Sequence, residues 1–361
     1  MDSKYSNARQ YCHYAVLRIM QNKEAFKELL KSPQNIVITT HINPDADALG
    51  SSLGISLALS KLGHKIKVIV PNDYPNFLCW MKGQEMVVIY EYKKEQCKQL
   101  VDKADIIFSL DYSSLNRIGE LGELVRSAKA TKVLIDHHQE PEDFADFMEW
   151  DTGAAATAEL IYDLLVDIGW KNLIDSDSAD CLYAGIMTDT GGFKHPNTTK
   201  NVHQVVSQLI DLGAKTSQVS KSIYDNNSVD RLRLLGYALN ERLKVLSQYN
   251  AAYIMLTEAD LENFNSKTGD TEGLVNYALS IKGVSIAALF SERKDLIKIS
   301  FRSEGEFSVN ELARDHFEGG GHNNAAGGKS TMSIEETVRK FERILENYKD
   351  KLISKPEGLN V

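Results

Sequence analysis

The chain has 361 residues, a formal net charge of −9, and 43% hydrophobic against 25% charged residues. That length is enough for two domains, and that balance excludes a disordered or fibrous chain. The acidic surplus argues against a protein that coats long nucleic acid, because such proteins neutralise many phosphates with Lys and Arg. The opening stretch MDSKYSNARQYCHYAV lacks the charged-then-apolar build of a signal peptide, and no run approaches the ~20 apolar residues of a membrane span. Cys12, Cys79, Cys97 and Cys181 are scattered with no CxxC pair, which suggests neither a zinc site nor a disulfide framework. A cytoplasmic, thiol-reduced protein is expected.

NIVITTH (35–41) is a β-branched run, and DADALGSSLGISLALSKLG (45–63) reads as a helix stopped by Gly63. IKVIV (66–70), ADIIFSLD (104–111) and KVLIDHH (132–138) are nearly all apolar, as central parallel strands covered on both faces must be. Helical segments lie between them, such as RIGELGELVRSAKA (117–130), and 155–170 and 176–191 add two more. This alternation predicts an α/β fold with a doubly wound, mostly parallel sheet over residues 1–195. Residues 196–247 read as a helical connector, with 228–246 strongly helical. A smaller α/β domain follows over 248–361, with strands near 251–256, 285–292 and 296–303, a glycine cluster at 317–328 and a last helix over 333–352.

With the strands placed, acids and histidines gather at their carboxyl ends. His41, Asp45 and Asp47 follow the first strand, Asp111 ends another, and Asp136, His137 and His138 end a third. Asp189 closes the later helix. Open parallel sheets bind ligands outside these strand ends, so the groups can converge in one crevice. Taken singly, each has an ordinary explanation, such as a helix cap for Asp45 or Asp111 and a core position for His41. Together, four carboxylates and two or more imidazoles need a cation. Oxygen and imidazole donors without thiolate suit Mn²⁺ or Mg²⁺, with Fe²⁺ or Co²⁺ possible. Six donors exceed what one ion needs, so two ions sharing a carboxylate is the economical arrangement. Such ions, roughly 3.5–4 Å apart, hold a hydroxide and clamp phosphoryl oxygens for in-line hydrolysis.

HINPDADALGS (41–51) and the Asp-His-His triplet at 136–138 resemble the DHH phosphoesterase superfamily, and GGGHNNAAGG (319–328) resembles its DHHA1 domain. The similarity spans about 30–350 and is nearest in plan to the group of bifunctional oligoribonucleases and pAp phosphatases. The resemblance implies that His41 and Asp45 bind one metal, that Asp47, His137 and Asp189 bind the other, and that Asp111 bridges both. Asp136 would orient its neighbours, and His138 would face the reacting phosphate. Asn43 would support the cluster, with Gly50 and Ser51 permitting close approach of the helix start. In the second domain, Gly320, Gly321, His322, Arg302 and Ser303 would hold the substrate's phosphate or base, with Arg293 a further partner. Phe193 would stack a base or, equally, pack an interface. Lys194 stands where the family pattern carries Arg, so it offers a point charge in place of a fork.

The activity so implied is hydrolysis of RNA a few nucleotides long to 5′-mononucleotides, together with dephosphorylation of pAp to AMP. A hydroxide bridging two Mn²⁺ ions would attack, with Mg²⁺ or Co²⁺ as substitutes. Small nucleotides and no membrane or long nucleic acid are the expected partners, and a homodimer fits the resemblance. A cyclic-di-AMP phosphodiesterase uses the same motifs and stays open as an alternative. A nucleotide sensor without catalysis is the reading from another class, and the full donor set argues against it.

Overall fold

The computed structural model describes Met20 and residues 22–353, so Cys12 and the opening stretch read above lie outside the described residues. The described chain divides into two compact units, residues up to 72 with 81–216, and 73–80 with 217 onward.

The first unit contains, in order, α1 (Lys23–Leu29), β1 (Asn35–Thr39), α2 (Ala46–Ser60), β2 (Lys65–Val70), β3 (Val87–Ile89), α3 (Lys94–Asp102), β4 (Ile106–Leu110), α4 (Leu121–Ser127), β5 (Thr131–Asp136), β6 (Phe147–Trp150), α5 (Thr157–Asp167), α6 (Ser176–Asp189) and α7 (Lys200–Asp211). Its sheet has the order β3-β2-β1-β4-β5-β6 with every pair parallel. All five residues of β4 are buried, as a strand covered on both faces requires. The chain winds outward from β1 through β2 to β3, then returns to β4 on the other side of β1. The reversal falls between β1 and β4, where the loops leaving the two strands part and open a crevice.

Helices α2 and α6 cross at backbone contact. A Cβ added to Gly50 of α2 would lie 2.4 Å from the Cys181 carbonyl oxygen of α6, so no side chain fits there. This crossing brings Asp47, in the first turn of α2, toward the end of α6 that carries Asp189.

The second unit contains α8 (Thr216–Tyr224, starting at the boundary), α9 (Val229–Tyr237), β7 (Leu243–Leu246), β8 (Ala251–Leu256), α10 (Glu258–Asn263), α11 (Leu274–Leu279), β9 (Ile286–Arg293), β10 (Leu296–Ser303), α12 (Val309–His316), β11 (Gly320–His322), β12 (Ala325–Ser330), α13 (Ile334–Asn347) and α14 (Lys349–Ile353). The sheet order is β11-β12-β10-β9-β8-β7, parallel only between β8 and β9. One face packs Phe290, Phe301 and Phe341, with the rings of Phe290 and Phe341 5.4 Å apart. The other face is covered at β8 and β9 by Leu234 of α9 and Leu274 and Val275 of α11.

Three features depart from the sequence reading. The stretch 228–246 is helical only to Arg242, where a π-helical turn over 238–242 continues α9, and 243–246 is instead β7, paired antiparallel with β8. Backbone pairing with β8 overrides the helical preference of its Leu and Lys residues. The glycine cluster, to which the sequence assigned no element, is a hairpin of β11 and β12. Residues 73–80 lie between β2 and β3 in sequence yet belong to the second unit, with Phe77 under the Arg231 guanidinium at 5.6 Å.

Among the described residues no helix is long and apolar enough to cross a membrane. Cys79, Cys97 and Cys181 are free thiols.

Candidate metal centre

The crevice at the β1–β4 reversal collects the acids and histidines of the first unit. Asp45 caps α2, accepting the amides of Asp47 and Ala48 at 3.0 Å each, and its side chain stays half exposed. Asn43, in the left-handed region at φ 55°, ties this loop to the end of β2 through paired hydrogen bonds with Asn72 at 2.7 and 2.9 Å. Asp47 is fully buried. Its Oδ2 accepts the Thr157 amide at 2.6 Å and its Oδ1 the Ala158 amide at 3.0 Å. The N-terminus of α5 therefore offers this carboxylate two backbone donors and the favourable end of the helix dipole.

Asp111 follows β4 at φ 65°, a conformation that costs a non-glycine residue about 1–3 kcal/mol and that the surrounding strands must enforce. Its amide donates to Ile135 of β5 at 3.1 Å. Its Oδ2 lies 3.3 Å from His41 Nε2, and its Oδ1 lies 3.4 Å from His137 Nε2. His137 Nε2 is also 3.4 Å from Asp189 Oδ2 and 3.8 Å from Asp47 Oδ2. Its Nδ1 donates to the Ala154 carbonyl at 3.3 Å, which fixes the ring so that Nε2 is the atom facing the acids. His41 is held the same way, Nδ1 to the Ile42 carbonyl at 2.9 Å. His138 Nδ1 donates to Asp136 Oδ1 at 2.8 Å. Asp136 is fully buried, and its Oδ2 has no hydrogen-bond partner among the described residues.

The electrostatics are those of a cluster short of positive charge. Burial and the charge of Asp111 push the Asp47 carboxyl well above its ordinary pKa, and burial with Asp47 and Asp45 does the same to Asp189. Burial works against the charge on Asp111, but hydrogen bonds from His137 and His41 outweigh it and hold this carboxyl well below the ordinary range. For His137 and His41 burial is again opposed and outweighed, chiefly by Asp111, so both imidazoles are raised. No Lys or Arg pairs with Asp45, Asp47, Asp111 or Asp189 among the described residues. Two donor sets, His41–Asp45–Asp111 and Asp47–Asp111–His137, each place their ligand atoms within 4.8 Å of one another. Oxygen and imidazole donors with no thiolate fit hard or borderline divalent cations.

The structure therefore brings together His41, Asp45, Asp47, Asp111, Asp136, His137, His138 and Asp189. Three further residues, carrying no signal in the motifs, support them. Thr157 donates its hydroxyl to Asp111 at 3.0 Å. Gly185 of α6 makes room for Asp47, whose Oδ1 would lie 2.5 Å from an added Cβ. Asn197 bridges the carbonyls of Asp189 and Ala155 at 3.3 Å each. Phe193, at φ 65°, has its ring 6.0 Å from His203 and 6.1 Å from Tyr183, so that face packs within the unit.

In the second unit the proposed substrate residues divide between the two faces of the sheet. Across the ladder, His322 pairs with Ala325 and Ala325 with Arg302, while Gly320 pairs with Gly327 and Gly327 with Ser300. Residues opposed in register point the same way, so Arg302 and His322 flank a small Ala on one face. Lys298 and Ser300 share that face by alternation. Gly321 and Ser303 belong to the other face. Gly321, at φ 155°, would put a Cβ 2.5 Å from the Ala325 carbonyl oxygen, so close packing of the hairpin requires glycine there. Ser303 is buried and donates its hydroxyl to the Phe307 carbonyl at 2.6 Å. Arg293 pairs with Leu296, six residues along β10 from Arg302 and thus about 20 Å away.

Fold and site together define a two-domain phosphoesterase. The model of the DHH family N-terminal domain matches residues 35–186 and that of the DHHA1 domain residues 248–352, and the chain belongs to this DHH family of phosphoesterases. It is 29% identical over 308 residues to the bifunctional oligoribonuclease and PAP phosphatase NrnA of Bacillus subtilis, covering 84% of this chain and 91% of that protein. The crystal structure of an exopolyphosphatase-related protein from Bacteroides fragilis matches with a TM-score of 0.87 at 39% identity, covering 91% of this chain and 97% of that one. The cyclic-di-AMP phosphodiesterase GdpP of Bacillus subtilis is 26% identical, covering 90% of this chain but 49% of that protein.

Proposed function

We propose that the chain cleaves RNA of a few nucleotides to nucleoside 5′-monophosphates and dephosphorylates pAp to AMP, using two divalent ions. Mn²⁺ is the proposed ion, with Mg²⁺ or Co²⁺ as substitutes. The observation that carries this reading is the placement of Asp111, whose two oxygens face different donor sets at 3.3 and 3.4 Å. A carboxylate so placed suits two cations at once. The likeness to the oligoribonuclease and PAP phosphatase supports the substrate class.

His41 and Asp45 would hold one ion, Asp47, His137 and Asp189 the other, and Asp111 both. When bound, the ions supply a hydroxide nucleophile at neutral pH and positive charge for the phosphoryl oxygens. Asp136 holds the Nδ1 proton of His138, which leaves Nε2 as the atom that handles a proton at the leaving oxygen. In the second unit, Arg302 and His322 would take the substrate's phosphate and base over the floor of Ala325 and Gly327. Arg supplies a fork that matches a phosphate.

Cyclic-di-AMP hydrolysis is the second reading, favoured by the likeness to GdpP over 90% of this chain. The test incubates purified protein and Mn²⁺ with a labelled RNA trimer, pAp and cyclic-di-AMP in parallel, with Asp111→Ala as control. Release of mononucleotides from the trimer, lost in the control, supports the proposal. Preference for the cyclic dinucleotide favours the second reading, and binding of all three without turnover overturns both.

A further inference from the structure

Two carboxylates of the metal centre are held by one residue that belongs to neither signature motif. Thr157 opens α5 and is 0% exposed. Its hydroxyl donates to Asp111 Oδ1 at 3.0 Å, and its amide donates to Asp47 Oδ2 at 2.6 Å. The amide of Ala158 takes the other oxygen of Asp47 at 3.0 Å. The other groups facing Asp111 are the imidazoles of His41, His137 and His138. On the proposed reading, His41 and His137 turn from the carboxylate to the ions when the centre loads. The Thr157 hydroxyl makes a contact with Asp111 that loading does not require to break.

That contact matters because the Asp111 carboxylate can otherwise rotate about its Cβ–Cγ bond. The hydroxyl keeps Oδ1 on the side of His137 and Oδ2 on the side of His41. β-Branching restricts the side-chain torsion of Thr157, so the donor itself is stiff. The amide of the same residue fixes Asp47, which ties the orientation of the shared carboxylate to the position of a second acid.

We propose that Thr157 is a positioning residue of the dinuclear centre. Its hydroxyl sets the rotation of Asp111 that divides the two oxygens between two ions. This rests on the two-ion reading given above. Outer groups that orient metal ligands typically change affinity 10–100-fold when removed.

The test compares wild type, Thr157→Ser and Thr157→Val by calorimetric titration of metal-free protein with Mn²⁺, with thermal unfolding of the metal-free forms alongside. Val keeps the size and the two backbone bonds but lacks the donor, whereas Ser keeps the donor. Thr157→Ser should bind Mn²⁺ like wild type, and Thr157→Val should bind at least one ion tenfold or more weakly. Turnover of the RNA trimer should fall in Val at limiting Mn²⁺ and recover as Mn²⁺ is raised, with KM for the trimer unchanged. Thr157→Ala serves as a second hydroxyl-free variant should Val fail to fold. A wild-type isotherm from either hydroxyl-free variant overturns the proposal, as does a Ser variant as weak as Val. Wild-type protein that takes up no Mn²⁺ overturns the two-ion reading itself, and that result is seen before any variant is compared.

Discussion

Gly185→Ala probes the packing that holds Asp47 in place. Inside an ordinary helix this change stabilises by about 1 kcal/mol, because Ala has the better helix propensity. Here the new Cβ would lie 2.5 Å from Asp47 Oδ1 and 2.9 Å from the Cβ of Ala158. Ordinary van der Waals contact begins at 3.4 Å, so the carboxylate must yield by nearly an ångström. It cannot yield freely, since the amides of Thr157 and Ala158 hold both its oxygens. Overpacking costs about 1–3 kcal/mol, and weakening a hydrogen bond to a charged group adds about 1.5–3 kcal/mol. Less the helix gain, the metal-free protein should lose about 1.5–5 kcal/mol. For a unit of this size that lowers Tm by about 3–20 °C. Thermal unfolding in chelator measures this, and a Mn²⁺ titration should show affinity down tenfold or more. A variant that melts above wild type and binds Mn²⁺ unchanged would refute the reasoning, because Asp47 would then not be confined between α5 and α6.

Asp260, in the second unit, supplies a pH test away from the metal centre. It accepts from Arg242 at 2.7 Å, Tyr237 at 2.8 Å and the Thr257 amide at 3.0 Å. Burial opposes its charge, but these donors, Arg242 foremost, outweigh it and hold its pKa below the ordinary value. Its contribution is therefore fully present above the unfolded-state pKa and lost as pH falls through the folded one. Asp260→Asn should cost about 2 kcal/mol at pH 7 and progressively less in acid, read by denaturant unfolding across pH. Arg302→Ala should raise KM for the RNA trimer about 10–100-fold with little change in kcat, the loss of a charged phosphate contact, read by initial rates. Chelation should abolish trimer hydrolysis and Mn²⁺ should restore it, while far-UV dichroism stays unchanged.

The parallel sheet and the metal cluster were legible because each rests on a local signal. Near-continuous apolar runs mark β1, β2, β4 and β5, and the acids sit at their ends within a few residues. β3 and β6 were not legible: three or four residues give no usable period, and only pairing with β2 and β5 defines them. β7 was read as helix for the same reason, since its pairing with β8 lies outside any local window. At the centre, Thr157 and Gly185 act through distances of 2.5–3.0 Å to Asp47, more than a hundred positions away, and to Asp111, 46 positions away, which spacing cannot reveal. In the second unit, the motif pointed to GGGH and to Arg302–Ser303 as blocks. A strand alternates its faces, so His322 and Arg302 share a surface, while Gly320 faces α12, and Gly321 and Ser303 build the hairpin and the loop beside it.

The claim that this crevice holds two ions across one shared carboxylate is tested most directly by counting them. Metal-free wild type and Asp111→Asn are each titrated with Mn²⁺, and bound ion per chain is read by calorimetry and electron paramagnetic resonance. The account predicts two ions in wild type with spectral signs of coupling, and loss of at least one from the variant. One ion in wild type, or two ions bound unchanged in Asp111→Asn, would contradict it.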